Sequence, residues 1–182
     1  MFDHLLVRLA EAFETAGLPY MVIGGQAVLL YGEPRLTQDI DVTVGALPNR
    51  LPDILSALEG VGLRALVDTA FVEETLVLLC EDLASRIRVD IIFSFSGYEQ
   101  EALRRTQRVD VAGTGVQFAS REDLVIHKVV AGRPRDIEDV RSVLLKAEAV
   151  DLAYIRQWLG TFSEALGHSF VDTFELLYQE TR

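Results

Sequence analysis

Apolar residues recur at helical spacing over residues 2–16, where Phe2, Leu5, Leu6, Leu9 and Phe13 share a face, and Gly17 and Pro19 stop the pattern. The apolar run at 20–24 then predicts a first strand, 25–32 a short helix, 33–37 a loop and 38–44 a second strand. After Pro48, Leu51, Ile54, Leu55 and Leu58 space themselves along one helical face that ends at Gly60 and Gly62. Residues 63–67 and 72–80 read as strands, the polar stretch 81–85 as a turn, and 86–93 as an antiparallel partner strand. A short helix follows Gly97, and 109–111 and 116–118 suit two short strands around Gly113-Thr114-Gly115. Ser120 with Asp123 resembles a capping box opening a helix through residue 132, and from Pro134 onward the pattern is helical throughout.

This order predicts an α+β fold: a small mixed sheet flanked by helices over 1–119, and a helical C-terminal portion over 120–182 packed on that core. With 182 residues and 49% hydrophobic content the chain can fill a substantial core. Its longest apolar stretches are too short or too broken by glycine to span a bilayer, and Met1-Phe2-Asp3-His4 lacks a basic leader, so a cytoplasmic protein without membrane attachment is expected. Cys80 is the only cysteine, which excludes an intrachain disulfide and makes it a core residue by expectation. A net charge of −11 argues against broad non-specific binding to nucleic acid, although a local basic patch is compatible with it.

The chemistry concentrates in residues 20–44. Side chains alternate along a strand, so Asp39 and Asp41 point the same way while Ile40 and Val42 point into the core. Two like charges on one face call for a cation, and hard oxygen ligands suit Mg²⁺ or Mn²⁺. Gly24 and Gly25, lacking Cβ, let backbone N–H groups approach a ligand at the start of a helix, where an anion is favoured. A phosphate beside a metal suggests a metal–nucleotide site. Asp90 is an acid in an otherwise apolar strand, which reads either as a further ligand or as a surface-facing residue.

Gly24-Gly25 followed by Asp39-Ile40-Asp41-Val42 resembles the signature of the nucleotidyltransferase superfamily related to DNA polymerase beta. The stretch Arg35-Leu36-Thr37-Gln38-Asp39-Ile40-Asp41 is especially similar to the AbiEii-like and minimal nucleotidyltransferase branches. The resemblance implies a third carboxylate from a later strand, for which Asp90 is the candidate, and a nucleotide site bordered by Gly24, Gly25, Gln26, Arg35 and Thr37. Many members carry Ser directly after the first glycine, where this chain has Gly25 and then Gln26, whose amide has a longer reach. Lys128, Arg135, Asp136 and Asp139 resemble the downstream motif of the AbiEii-like branch. There Lys128 or an arginine is expected to reach the triphosphate, and Asp136 or Asp139 to orient it or to bind the base. An ordinary helix start with acids in its first turn has the same spacing.

The activity so implied is transfer of a nucleoside monophosphate from a nucleoside triphosphate to an acceptor hydroxyl, with Mg²⁺ or Mn²⁺ held by Asp39, Asp41 and Asp90. The acceptor is expected to be tRNA or protein, as for a toxin with a cognate antitoxin. The alternatives are a small-molecule acceptor of the aminoglycoside kind and a weakly active binding partner in a toxin–antitoxin pair.

Overall fold

In the computed structural model, which describes Met1–Arg182, helix α1 (Phe2–Thr15) turns through Gly17 into the central strand β1 (Tyr20–Ile23). All four residues of β1 are buried, as a strand covered on both faces requires. Helix α2 (Gly24–Tyr31) follows without a break, and β2 (Asp39–Val44) returns antiparallel to β1. A 3-10 turn at Pro48–Arg50 leads into α3 (Leu51–Gly60), then β3 (Leu63–Ala65), α4 (Thr69–Thr75), β4 (Val77–Asp82) and β5 (Arg88–Phe93). Helix α5 (Gly97–Arg104) and the hairpin β6 (Gln107–Val111) and β7 (Thr114–Phe118) complete the sheet.

The seven strands lie in the order β3-β4-β5-β2-β1-β7-β6. Two neighbouring pairs are parallel, β2 with β5 and β1 with β7, and the rest are antiparallel, so the sheet is mixed as expected. The α+β class is therefore the observed one.

The chain divides into two compact units, Met1–Gln26 with Thr37–Ala119, and Ala27–Leu36 with Ser120–Arg182. In the first, α1 packs on α3 and on β6 and β7, and the core is built from Phe13, Met21, Ile40, Ile54, Ile91 and Phe93. Cys80 is buried there, and desolvation pushes its thiol up to about 12, with the charge of Asp90 adding to the shift. In the second unit, α6 (Arg121–Ala131) packs against α7 (Pro134–Leu145), α8 (Leu152–Leu166) and α9 (Phe170–Glu180), around Leu124, Val140, Ile155 and Phe174. Ser120 caps α6 by accepting from the Asp123 N–H at 3.1 Å, and Gly132 ends it at φ +63°. No helix is long and apolar enough to cross a membrane.

The structure corrects one element and moves several boundaries. Residues 72–75, expected in a strand, belong to α4, because Asp68 caps that helix through the Phe71 N–H at 2.9 Å and Leu76 breaks out of it at φ +58°. The β4 strand runs on through Glu81 and Asp82, residues expected in the turn. The β6–β7 connection is the two residues Ala112 and Gly113, both at positive φ as a type I′ hairpin needs, so Thr114 and Gly115 are already strand.

Asp82, at the end of β4, ties the first unit together. It accepts from Arg8 of α1 at 2.7 Å and from the Ser85 N–H at 2.9 Å, and Arg8 also reaches the Val61 carbonyl at 2.6 Å. Burial works to raise the Asp82 carboxyl, but the hydrogen bonds from Ser85 and Arg8 outweigh it and hold the group below its ordinary value. A carboxyl depressed on folding stabilises above its unfolded pKa, and that stabilisation is lost as pH falls through the folded value. Asp82→Asn is expected to lower unfolding free energy by about 2 kcal/mol at neutral pH, since it leaves Arg8 facing a weak partner. Denaturant titrations should show the gap from wild type narrowing below about pH 4; a gap that holds constant in acid would rule out the ion pair as its source.

Candidate active site

The register of β2 and β5 sets Asp39 level with Arg88 and Asp41 level with Asp90. Level residues of paired strands share a face, and residues two apart on a strand do too, so Asp39, Asp41, Arg88 and Asp90 line the same side of the sheet. The opposite side of both strands is core, with Ile40, Val42, Val89 and Ile91 fully buried. Asp41 also pairs with Ile23, the last residue of β1, so the acids gather where β1 stops and α2 begins.

That junction explains Gly24. It sits at φ +62°, and a Cβ there would lie 1.9 Å from Asp41 Oδ2. Only glycine both adopts the left-handed conformation cheaply and leaves room for the carboxylate. Gly25 and Gln26 are buried behind it, and the Gln26 Nε2 has no protein partner. Thr37 Oγ1 donates within 3.3 Å of both the carbonyl and Oδ1 of Asp39, steadying the start of β2. Asp90 is half-buried, and desolvation raises its carboxyl above the ordinary range; Arg88, 3.4 Å away, opposes the shift and the charge of Asp39 adds to it. Arg88 did not figure among the expected site residues. Its signal was the alternation Arg88-Val89-Asp90, which puts guanidinium and carboxylate on one face.

These side chains are hard oxygen donors of one sign on one surface, a chemistry that suits Mg²⁺ or Mn²⁺. They are not gathered into a ready-made cage, since no three acid, histidine or cysteine side chains stand close enough to hold an ion as they are. The donor set fits a divalent metal in kind.

The other expected residues fall in the second unit and form an ionic chain of their own. Lys128 Nζ lies 2.6 Å from Asp136 Oδ1 and 2.9 Å from Asp139 Oδ2, and all three residues are buried. Arg133 joins Asp136 at 2.5 Å, while Arg35 meets both oxygens of Asp139 at 2.8 and 3.0 Å. Burial works against the Asp136 carboxylate, and the hydrogen bonds from Arg133 and Lys128 overcome it and hold the group below its ordinary value. Arg135 is exposed.

The chain belongs to a family described as nucleotidyltransferase of unknown function (DUF6036), whose model matches residues 4–181. Its fold resembles the antibiotic-resistance factor ANT(2'')-Ia, with a TM-score of 0.64 and 20% identity over 91% of this chain and 95% of that one. An antigenic nucleotidyltransferase-like protein from Paracoccidioides brasiliensis gives 0.60 and 14% over 95% and 91%. The lincosamide antibiotic adenylyltransferase LnuA gives 0.52 and 16% over 73% and 90%. At these identities the likeness is one of fold. Among curated proteins none matches this chain in sequence.

Gly24→Ala is expected to destabilise the protein by at least about 2 kcal/mol, from the left-handed backbone and the displacement of Asp41. Thermal melts test this, and a variant melting with wild type would mean that the Asp41 carboxylate is not fixed against the helix start.

Proposed function

We propose that this chain is a divalent-metal-dependent nucleotidyltransferase that moves a nucleoside monophosphate from a nucleoside triphosphate to an acceptor hydroxyl. The observation that carries the reading is the β2–β5 register, which sets Asp39, Asp41 and Asp90 on one face beside Gly24. Asp39, Asp41 and Asp90 would hold Mg²⁺ or Mn²⁺, which supplies charge neutralisation at the phosphates and a more acidic acceptor hydroxyl. In the transfer the acceptor oxygen bonds to the α-phosphorus, the bond from that phosphorus to its bridging oxygen breaks, and pyrophosphate leaves with the electron pair. Asp90 would accept the hydroxyl proton. Backbone N–H groups at Gly24 and Gly25 bind phosphate oxygens.

Two acceptors have support. The Arg35-Leu36-Thr37-Gln38-Asp39-Ile40-Asp41 stretch, with its AbiEii-like resemblance, favours tRNA or protein, and with it a cognate antitoxin. The fold likeness to ANT(2'')-Ia, also solved with adenylyl-2''-tobramycin, and the net charge of −11 favour a small, amine-bearing hydroxyl compound, which an acidic protein attracts where it repels RNA. Incubation with each labelled nucleoside triphosphate and Mg²⁺, with tRNA or tobramycin added, separates them. Label on RNA or on protein supports the first acceptor and label on tobramycin the second. Metal-dependent nucleotide binding without transfer to anything supports a non-catalytic partner.

Saturating Mg²⁺ is expected to raise the melting temperature of wild type at matched ionic strength, and Asp39→Asn to abolish the increment. Coincident melts with and without metal would remove the three-carboxylate site. Asp90→Asn is expected to keep nucleotide affinity and to lower turnover by at least about 10²-fold, because a base beside the nucleophile acts in the transition state. Retained turnover in a steady-state assay would make Asp90 a bystander.

A further inference from the structure

The sheet ends on β6, so one side of that strand pairs with β7 and the other is an edge. An edge strand presents backbone N–H and C=O groups that another strand can take up. Gln107, Arg108 and Asp110 of β6 are exposed, and Val109 and Val111 are half-buried.

The hairpin decides which backbone groups face the edge. Its two-residue turn closes on Val111 and Thr114, the pair that a β-turn joins by a hydrogen bond. Hydrogen-bonded and non-hydrogen-bonded pairs alternate along an antiparallel ladder, so Val111, Val109 and Gln107 turn their backbone groups toward β7. Arg108 and Asp110 turn theirs to the edge. Their side chains share one face of the strand, opposite in charge, while Val109 and Val111 share the other.

This arrangement is its own complement. When two copies of β6 meet antiparallel about a two-fold axis, a residue that stands opposite a second residue of the other copy has the relation returned. Arg108 and Asp110 carry the edge-facing backbone groups, so the register sets Arg108 on itself, Asp110 on itself, or Arg108 on Asp110. The first two bring like charges face to face, which destabilises a strand pair. The third sets Arg108 against Asp110 on both sides of the axis. It also puts Val109 against Val109, in the non-hydrogen-bonded position where side chains approach closest. Charges of one sign on an edge strand keep sheets apart, whereas β6 carries one of each sign at the spacing that a two-fold axis matches. The present contacts of these side chains are loose. The Arg108 guanidinium rests across Gly115 with Glu14 3.9 Å away, at the limit of an ion pair, and Asp110 Oδ1 accepts from the Gly113 N–H at 3.3 Å. Surface contacts of this kind do not stop either group from turning to the edge.

We propose that β6 is the contact of a homodimer, in which two copies join edge to edge with Arg108 of each opposite Asp110 of the other. Two strands of five residues make a smaller contact than the about 1,200 Å² that a standard-sized interface buries, so the dimer is weak and concentration-dependent. The inference concerns the edge of the sheet and is independent of metal, nucleotide and transfer.

Sedimentation of the full chain over a broad range of concentration tests it, and wild type is expected to dimerise reversibly. Arg108→Glu sets acid against acid on both sides of the axis, and Asp110→Lys sets base against base. Each is expected to melt near wild type, since both positions are exposed, and to weaken the dimer by at least about tenfold. An equimolar mixture of the two variants restores both opposite-charge pairs and is expected to associate about as tightly as wild type. Amide hydrogen exchange of wild type gives a second reading. Protection at Arg108 and Asp110 is expected to rise with concentration, while Val109 and Val111, whose amides face β7, hold steady. A wild type that stays monomeric, a dimer indifferent to the single reversals, a mixture no tighter than its components, or a dimer whose Arg108 and Asp110 amides gain no protection would each overturn the proposal.

Discussion

Parallel pairing of β2 with β5 brings like charges together, and the surrounding structure of the first unit is arranged to tolerate it. Asp41 stands level with Asp90, and Asp39 lies two residues along on the same face. Each strand buries β-branched and aromatic side chains on the other face, so a one-residue slip would bury the acids and expose Ile40, Val42, Ile91 and Phe93. The hydrophobic pattern thus fixes the register, and the register fixes the acids.

What surrounds the acids follows from that. Arg88 offsets part of the charge on Asp90 without cancelling the effect of burial, and Thr37 steadies Asp39. Gly24 gives Asp41 the space that any other residue would occupy, which makes the glycine a requirement of the carboxylate as much as of the backbone. The helix start beside them adds fixed positive partial charge to a surface of negative side chains.

Much of this is readable in the sequence, because the decisive signals are local. Asp39-Ile40-Asp41 states its shared face by alternation alone, Ser120 with Asp123 states the start of α6, and Pro19, Gly60 and Gly132 state where helices end. The helix α4 is a near miss of the same kind: apolar Val72 and Leu76–Cys80 run together as one strand unless Asp68 is taken as a cap. The neighbourhood of β2 and β5 is different, since it joins residues about fifty apart through a sheet order that no local pattern encodes. The same holds for Arg35 and Asp139. Their types were legible, and their partnership was a product of tertiary packing.

The buried acids and the acids of the β2–β5 face are treated in opposite ways, and the contrast bears on function. Asp82, Asp136 and Asp139 are buried, and each is paired with at least one cation, as a buried carboxylate requires. On the β2–β5 face three half-buried acids stand together, with one arginine, itself more than half exposed, beside Asp90. Replacing Asp90 by a neutral residue of similar shape would remove a charge that burial and the neighbouring Asp39 both disfavour. A chain that supplies tight ion pairs elsewhere gives this face a single exposed arginine, and the charge that Asp39, Asp41 and Asp90 share is what the proposed cation would stabilise.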